Sequence, residues 1–165
     1  MVKKHLFLKY TQTTNIRLIK GDPMGFSFFI ERKENRMHSR SAVILVENNK
    51  VALIKRRKNG RTYYTFPGGK VESDETIEEA AVREAYEELG VHVRIGECVL
   101  ALPYNGTQYY FTATKEHGVF GTGQGEEFQH QNAHNSYEAV WLSLCEIASI
   151  DLIPLEMKPW LARLI

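Results

Sequence analysis

Cysteine is scarce: Cys98 and Cys145 are the only two in the chain, and their spacing matches no metal-binding pair. A disulfide-stapled fold and a cysteine-based zinc centre are therefore excluded, and free thiols in a reducing cytoplasmic location are the simplest expectation. Long apolar runs are missing as well. Lys9 interrupts Leu6-Phe7-Leu8 too early for a signal peptide behind the basic Met1-Val2-Lys3-Lys4. No stretch approaches the roughly 20 residues that span a bilayer, so no membrane association is expected. An excess of one charge sign is also lacking. Lys and Arg number 21 against 20 Asp and Glu, for a formal net charge of +1. That balance gives no global attraction to nucleic acid, and no nucleic-acid partner is expected. No internal repeat is visible. What is present is a 165-residue chain, 43% hydrophobic, long enough to bury one sizeable core.

The most informative segment runs from Gly69 to Val91. Glu84, Glu87 and Glu88 stand at i, i+3 and i+4, so on a helix they converge on one patch. They precede Gly90, a helix-terminating residue type, where the macrodipole is negative and each anion is disfavoured by about 0.3–1 kcal/mol. Like charges at the wrong end of a dipole call for a compensating cation. Clustered hard oxygen donors suit Mg²⁺ or Mn²⁺ rather than Zn²⁺. Ala81, Val82, Ala85, Tyr86 and Leu89 form a contiguous arc for packing on a sheet, with the acids bordering it. Arg83 can pair with Glu79 or Glu87 one turn away.

The same segment resembles the Nudix box, G-x5-E-x7-R-E-U-x-E-E-x-G-U, with U aliphatic. Gly69, Glu75, Arg83, Glu84, Glu87, Glu88 and Gly90 supply the seven fixed identities, and Ala85 and Val91 fill the aliphatic positions. At ordinary residue frequencies the chance of this is on the order of 10⁻⁸ per starting position. Tyr64-Thr65-Phe66-Pro67-Gly68-Gly69-Lys70 also looks like the family's lead-in. The resemblance covers about residues 40–153 and implies an α/β fold, an α/β/α sandwich with a mixed β-sheet. It further implies that Glu87 and Glu88 are direct metal ligands, that Glu84 is a ligand or the base, and that the Gly68 carbonyl is another ligand. Glu75 would be structural, and Arg83 would meet it and orient the acids.

Hydrophobic alternation predicts strands at 41–47 and 51–57 joined by Asn48-Asn49, then a short strand at 63–66 after Asn59-Gly60. A glycine loop follows, then a helix at 76–89, strands at 91–101, 108–115 and 137–142, and short helices at 144–150 and 155–164. Residues 1–38 read as an N-terminal extension, with strand-like pieces at 16–19 and 26–31, packed on a main domain at 39–165. The charged run 31–36 reads as a connecting loop.

Several further residues are candidates beside plainer readings. Gly121 to Phe128 is glycine-rich but lacks the Gly-Lys of a phosphate-binding Walker loop; it is either a hairpin connection or a segment delivering Glu126 or Glu127 to the metal. Glu127 is preferred because it precedes the apolar Phe128. Among Lys55, Arg56, Arg57, Lys58 and Arg61, either all are a solvated strand end or one, Arg56 or Arg57, neutralises a non-scissile phosphate. Tyr109, with Tyr104 nearby, either packs the sheet or stacks a base. His130 and His134 sit beside asparagines that favour a loop over a metal site. The expected chemistry is hydrolysis of a diphosphate bond in a nucleoside diphosphate linked to another moiety, such as a nucleoside triphosphate. Dinucleoside polyphosphates, ADP-ribose and nucleotide sugars stand as alternatives, as does a catalytically silent nucleotide-binding module. A homodimer is compatible with this reading.

Overall fold

The computed structural model describes residues 39–103, 105–125, 131, 132 and 135–165. The expected N-terminal hairpin, Tyr104, Glu126, Glu127, Phe128, His130 and His134 lie outside the described residues. Among the described residues, eight strands form a mixed sheet: β1 (Arg40–Glu47), β2 (Lys50–Lys58), β3 (Arg61–Thr65), β4 (Gly68–Lys70), β5 (Val91–Pro103), β6 (Thr107–Gly118), β7 (Asn135–Ser143) and β8 (Leu152–Ile153). The main path is β5-β6-β1-β2-β3-β8, with β4 on β1 and β7 on β2. β1 runs parallel to β6 and β3 parallel to β8, while the other pairs are antiparallel.

The two asparagine turns behave as their residue types demand. Asn48 and Asn49 both have positive φ (49° and 60°), and Glu47 pairs with Lys50 across them. Asn59 and Gly60 repeat the geometry at φ 50° and 81° between Lys58 and Arg61. Two left-handed central residues give the hairpin turn whose twist matches the flanking strands.

β1 is the structural spine, since 41–45 are buried on both faces. Val43 and Leu45 join Ala52, Ile54, Phe111 and the inner face of the helix α1 (Ile77–Leu89) in one core. Ala42 and Ile44 join Val51, Leu53, Phe66 and Tyr110 in a second core beneath the C-terminal helical turns. Helical layers on both faces of a mixed sheet make the expected α/β/α sandwich. Fully buried Leu, Ile and Val side chains contribute about 1.5–3 kcal/mol each. Among the described residues, no helix is long and apolar enough to cross a membrane.

Some details depart from expectation. The glycine loop is partly ordered as β4, because Gly68 and Gly69 let the backbone lie flush against Ala42 and Ser41. The expected helix at 155–164 is a 3₁₀ turn (Leu155–Met157), one α-turn α2 (Lys158–Leu161) and a second 3₁₀ turn (Ala162–Leu164). Pro159 has no N–H to return to Leu155, so the α-helical turn begins only at Lys158, with Pro159 in its first turn. The segment at 144–149 is likewise 3₁₀. Tyr86, expected in the core arc, is exposed and instead packs at a tilt against His92 with ring centroids 4.5 Å apart. Ala80 is buried in its stead.

Candidate active site

α1 begins at Thr76, which caps it twice over. Its hydroxyl accepts from Glu79 N–H (3.1 Å) while the Glu79 carboxylate accepts from Thr76 N–H (2.7 Å). Gly90 ends the helix in the left-handed conformation (φ 76°), its N–H reaching Tyr86 O at 2.9 Å. Between these caps the buried stripe is Ala80, Ala81, Glu84, Ala85, Glu88 and Leu89. Two of the three clustered acids therefore lie inside the stripe rather than beside it. Glu84 and Glu88 are only 8% and 6% exposed, whereas the Glu87 side chain is 42% exposed.

Arg83 organises the acids, and all five of its N–H donors are used. Nε and Nη2 grip the two Glu75 oxygens at 3.0 and 2.7 Å, a bidentate fork. Nη2 also donates to Lys70 O (2.9 Å), and Nη1 donates to Glu84 Oε1 and Glu87 Oε2, both at 2.9 Å. Glu79 is not a partner, because its carboxylate serves the N-cap. The Glu75 hydrogen bonds, followed by those to Glu84, hold the Arg83 guanidinium even more firmly protonated than usual. In return, the Arg83 hydrogen bond keeps the Glu75 carboxyl below the ordinary carboxylate range, against a smaller opposing effect of burial. Glu75 also accepts Glu72 N–H at 2.8 Å, which closes the loop between β4 and α1.

The Gly68 peptide is held from both ends. Its N–H donates to Glu88 Oε2 (2.8 Å), and its carbonyl accepts from Arg40 Nη2 (3.1 Å). A Cβ at Gly69 would overlap the Glu84 carboxylate, so this acid rests directly on the glycine backbone. Glu84, Glu87, Glu88 and the Gly68 carbonyl are thus gathered around one strand-helix junction. Among the described residues, no three acidic, histidine or cysteine side chains already stand in cation-ligating arrangement, and Arg83 Nη1 spans Glu84 and Glu87. The donor set nevertheless fits a hard divalent ion: all oxygen, two carboxylates buried, and no competing thiol or imidazole.

The basic strand end separates by face. Arg56 lies opposite Tyr63 on β3 and Tyr137 on β7, its guanidinium 4.0 Å from the Tyr137 ring centroid and 5.6 Å from that of Tyr63. It shares the face of Ile54 and hence of the α1-side core, and among the described residues its buried Nε has no hydrogen-bond partner. Arg57 points to the other face and is exposed. Lys55 approaches Glu138 (3.8 Å), and Arg61 binds Asp151 (2.7 Å). Tyr109 is half-buried against the α1-side core.

The NUDIX domain model matches residues 37–164. The chain belongs to the NUDIX family. A CTP pyrophosphohydrolase of Escherichia coli (strain K12) is 31% identical over 120 residues, covering 70% of this chain and 83% of that protein. An ADP-ribose pyrophosphatase of Methanocaldococcus jannaschii is 44% identical over 64 residues, covering 36% of this chain. The match spans only 38% of that relative's length. The solution structure of the E. coli ORF135 protein superposes with a TM-score of 0.53 at 28% identity, over 76% of this chain and 86% of that one. The NUDIX match extends beyond the 40–153 suggested by the box alone and takes in α2 and its flanking turns.

Sequence reasoning missed Arg40, whose partner Gly68 is 28 residues away. It carries no local signal beyond its place at the start of β1. The Lys70 carbonyl was missed for the same reason.

Proposed function

We propose that this NUDIX protein is a metal-dependent hydrolase of a phosphorus anhydride, cleaving a diphosphate bond in a nucleoside diphosphate linked to another moiety. The observation that carries this is the arrangement at the β4–α1 junction, where Arg83 binds Glu75, Glu84 and Glu87 while Glu88 holds the Gly68 peptide. Structural acids are ordinarily spread along a helix; these are drawn to one end and two are buried.

Glu84, Glu87, Glu88 and the Gly68 carbonyl would hold Mg²⁺, with Mn²⁺ as a substitute, and Glu127 is assigned to the same ion. When bound, such an ion neutralises phosphate oxygens and lowers the pKa of a coordinated water. A box glutamate not fully engaged as ligand takes the proton of the attacking water, and Glu84 is the candidate for that role. Arg83 fixes Glu84 and Glu87 in orientation. Arg56, clamped between Tyr63 and Tyr137, is better placed than Arg57 to neutralise a non-scissile phosphate, because it shares the face of the α1-side core. Tyr109 on the same face is the candidate for stacking a base.

A nucleoside triphosphate is the first substrate choice, supported by the CTP pyrophosphohydrolase relative, whose match covers most of both chains. ADP-ribose is the second, supported by the higher but shorter identity to the archaeal pyrophosphatase. A kinetic screen of nucleoside triphosphates, dinucleoside polyphosphates, ADP-ribose and nucleotide sugars ranks them. Hydrolysis of the best substrate in ¹⁸O-water should place the label on a phosphate-containing product. Label on a sugar carbon, a covalent enzyme intermediate, or full activity in excess EDTA would overturn the reading. Free, exposed Cys98 and Cys145 are compatible with the cytoplasmic location we assign.

A further inference from the structure

The glutamates stand at a helix C-terminus, where the last carbonyls lack intrahelical donors. The segment after β6 supplies donors from elsewhere in the chain. Gly121 N–H donates to Leu89 O (2.9 Å), and Gly125 N–H donates to Glu87 O (2.8 Å). Gly123 lies so close to the same turn that a Cβ would overlap the carbonyls of Glu88 and Glu87. Gly90 is packed as tightly from the other side, where a Cβ would meet the Thr122 hydroxyl and the Val119 carbonyl. Phe120 anchors the segment by packing on Trp141 with ring centroids 4.7 Å apart.

From this we propose that Gly123 and Gly125 are positioning residues: the 119–125 segment is a backbone clamp that sets where Glu87 and Glu88 stand. The inference rests on the reading of those glutamates as metal ligands. The physical reasoning has two parts. N–H groups aimed at the terminal carbonyls offset the negative helix end, which otherwise adds to the repulsion among three carboxylates. Close backbone contact also removes the fraying that would let the last helical turn wander, and ligands must be held within about 0.5 Å to act together. Only glycine at 123 permits that approach. The clamp acts on the main chain of the ligands, so it is separate from the side-chain grip of Arg83.

The test compares Gly123→Ala, which cannot seat the segment, with Gly60→Ala, a glycine of the β2–β3 turn outside the clamp that has open space for a methyl group and carries its own backbone strain at φ 81°. Mn²⁺ binding is read by electron paramagnetic resonance without substrate, and kcat and KM are read separately with Mg²⁺. Gly123→Ala should weaken Mn²⁺ binding by about 10-fold or more and lower kcat by a similar factor, with KM changed less than about 3-fold. Gly60→Ala should bind Mn²⁺ within about 2-fold of wild type. A Gly125→Pro variant removes the N–H that Glu87 O accepts, and it provides the same readout if Gly123→Ala does not fold. Introducing Gly123→Ala into a Glu126→Gln/Glu127→Gln background separates clamping from mere delivery of those downstream acids. Clamping predicts a further fall of comparable size in that background, and delivery predicts none.

Wild-type Mn²⁺ affinity in both Gly123→Ala and Gly125→Pro, or an equal loss in Gly60→Ala, would overturn the clamp while leaving the active-site reading intact. A wild-type protein that binds no Mn²⁺ would instead sink the metal-site reading itself.

Discussion

Replacing Arg83 with Lys separates charge from geometry at the centre of the site. The guanidinium makes five hydrogen bonds from five donors, four of them to carboxylate oxygens. An ammonium has three donors and no planar fork, so at least two of the five bonds must be lost. Charge-assisted bonds contribute about 1.5–3 kcal/mol each, but the Glu87 partner is 42% exposed and its bond must be discounted for solvent screening. The Glu75 fork is better shielded, with side chains 26% and 15% exposed. The net cost should therefore be about 2–4 kcal/mol, or roughly 6–12 °C in melting temperature for a domain of this size. Scanning calorimetry in EDTA measures this without metal. Turnover with Mg²⁺ should fall by about 10–100-fold as the carboxylates lose their common orientation. The sign of the pH effect follows from Glu75, whose folded carboxyl titrates below its ordinary 4.5. The stabilisation it supplies is fully present above that value and is lost as pH falls through the depressed folded pKa. The gap in melting temperature between wild type and Arg83→Lys should accordingly narrow below about pH 4.5. Equal melting temperatures at pH 7 together with an unchanged Mg²⁺ titration would refute the assignment and reduce Arg83 to a surface pair.

Glu87→Gln should lose at least about 10²-fold in turnover, yet keep its metal-free melting temperature within roughly 3 °C, because a half-exposed ion pair is exchanged for relief of like-charge repulsion; unfolding, or near-full activity with Mg²⁺, would mark the cluster as structural. Gly69→Ala should displace the Glu84 carboxylate that its Cβ would overlap and depress turnover by at least about 10-fold, whereas Gly60→Ala, with open space around it, should cost only about 1 kcal/mol of turn strain. Steady-state rates beside thermal melts distinguish the two, and equal activity in both would show that Glu84 can act from another rotamer. Tyr110, buried and donating to Gln108 at 2.8 Å, has its phenol pushed up to about 12 by burial, so at pH 11 in the folded protein only about a tenth of its full tyrosinate absorbance should be present; a Tyr110→Phe difference titration measures it.

The strands and the box helix were legible because their signals are local. Apolar continuity marks β1 and β2, paired Asn-Asn and Asn-Gly mark the turns, and Thr76 with Glu79 and Gly90 bounds α1. What escaped the sequence depends on partners far along the chain. Tyr86 illustrates why. Its helical phase puts it beside Leu89 and Val82, so periodicity alone places it in the core. The buried stripe is instead rotated toward Glu84 and Glu88. That rotation is tolerable only because the Gly68 N–H and Arg83 meet those carboxylates, and because Gly69 has no side chain where Glu84 rests. A carboxylate can occupy a core position when the facing backbone supplies polar partners and room. Hydrophobicity patterns score glutamate as a surface residue and so assign the stripe to its apolar neighbours. The glycines that reverse this judgement lie 15 and 20 positions upstream, on a strand too short to announce itself. The departure from the amphipathic pattern therefore falls at the candidate site itself, where burying charge near an exposed strand-helix junction serves chemistry at the expense of packing.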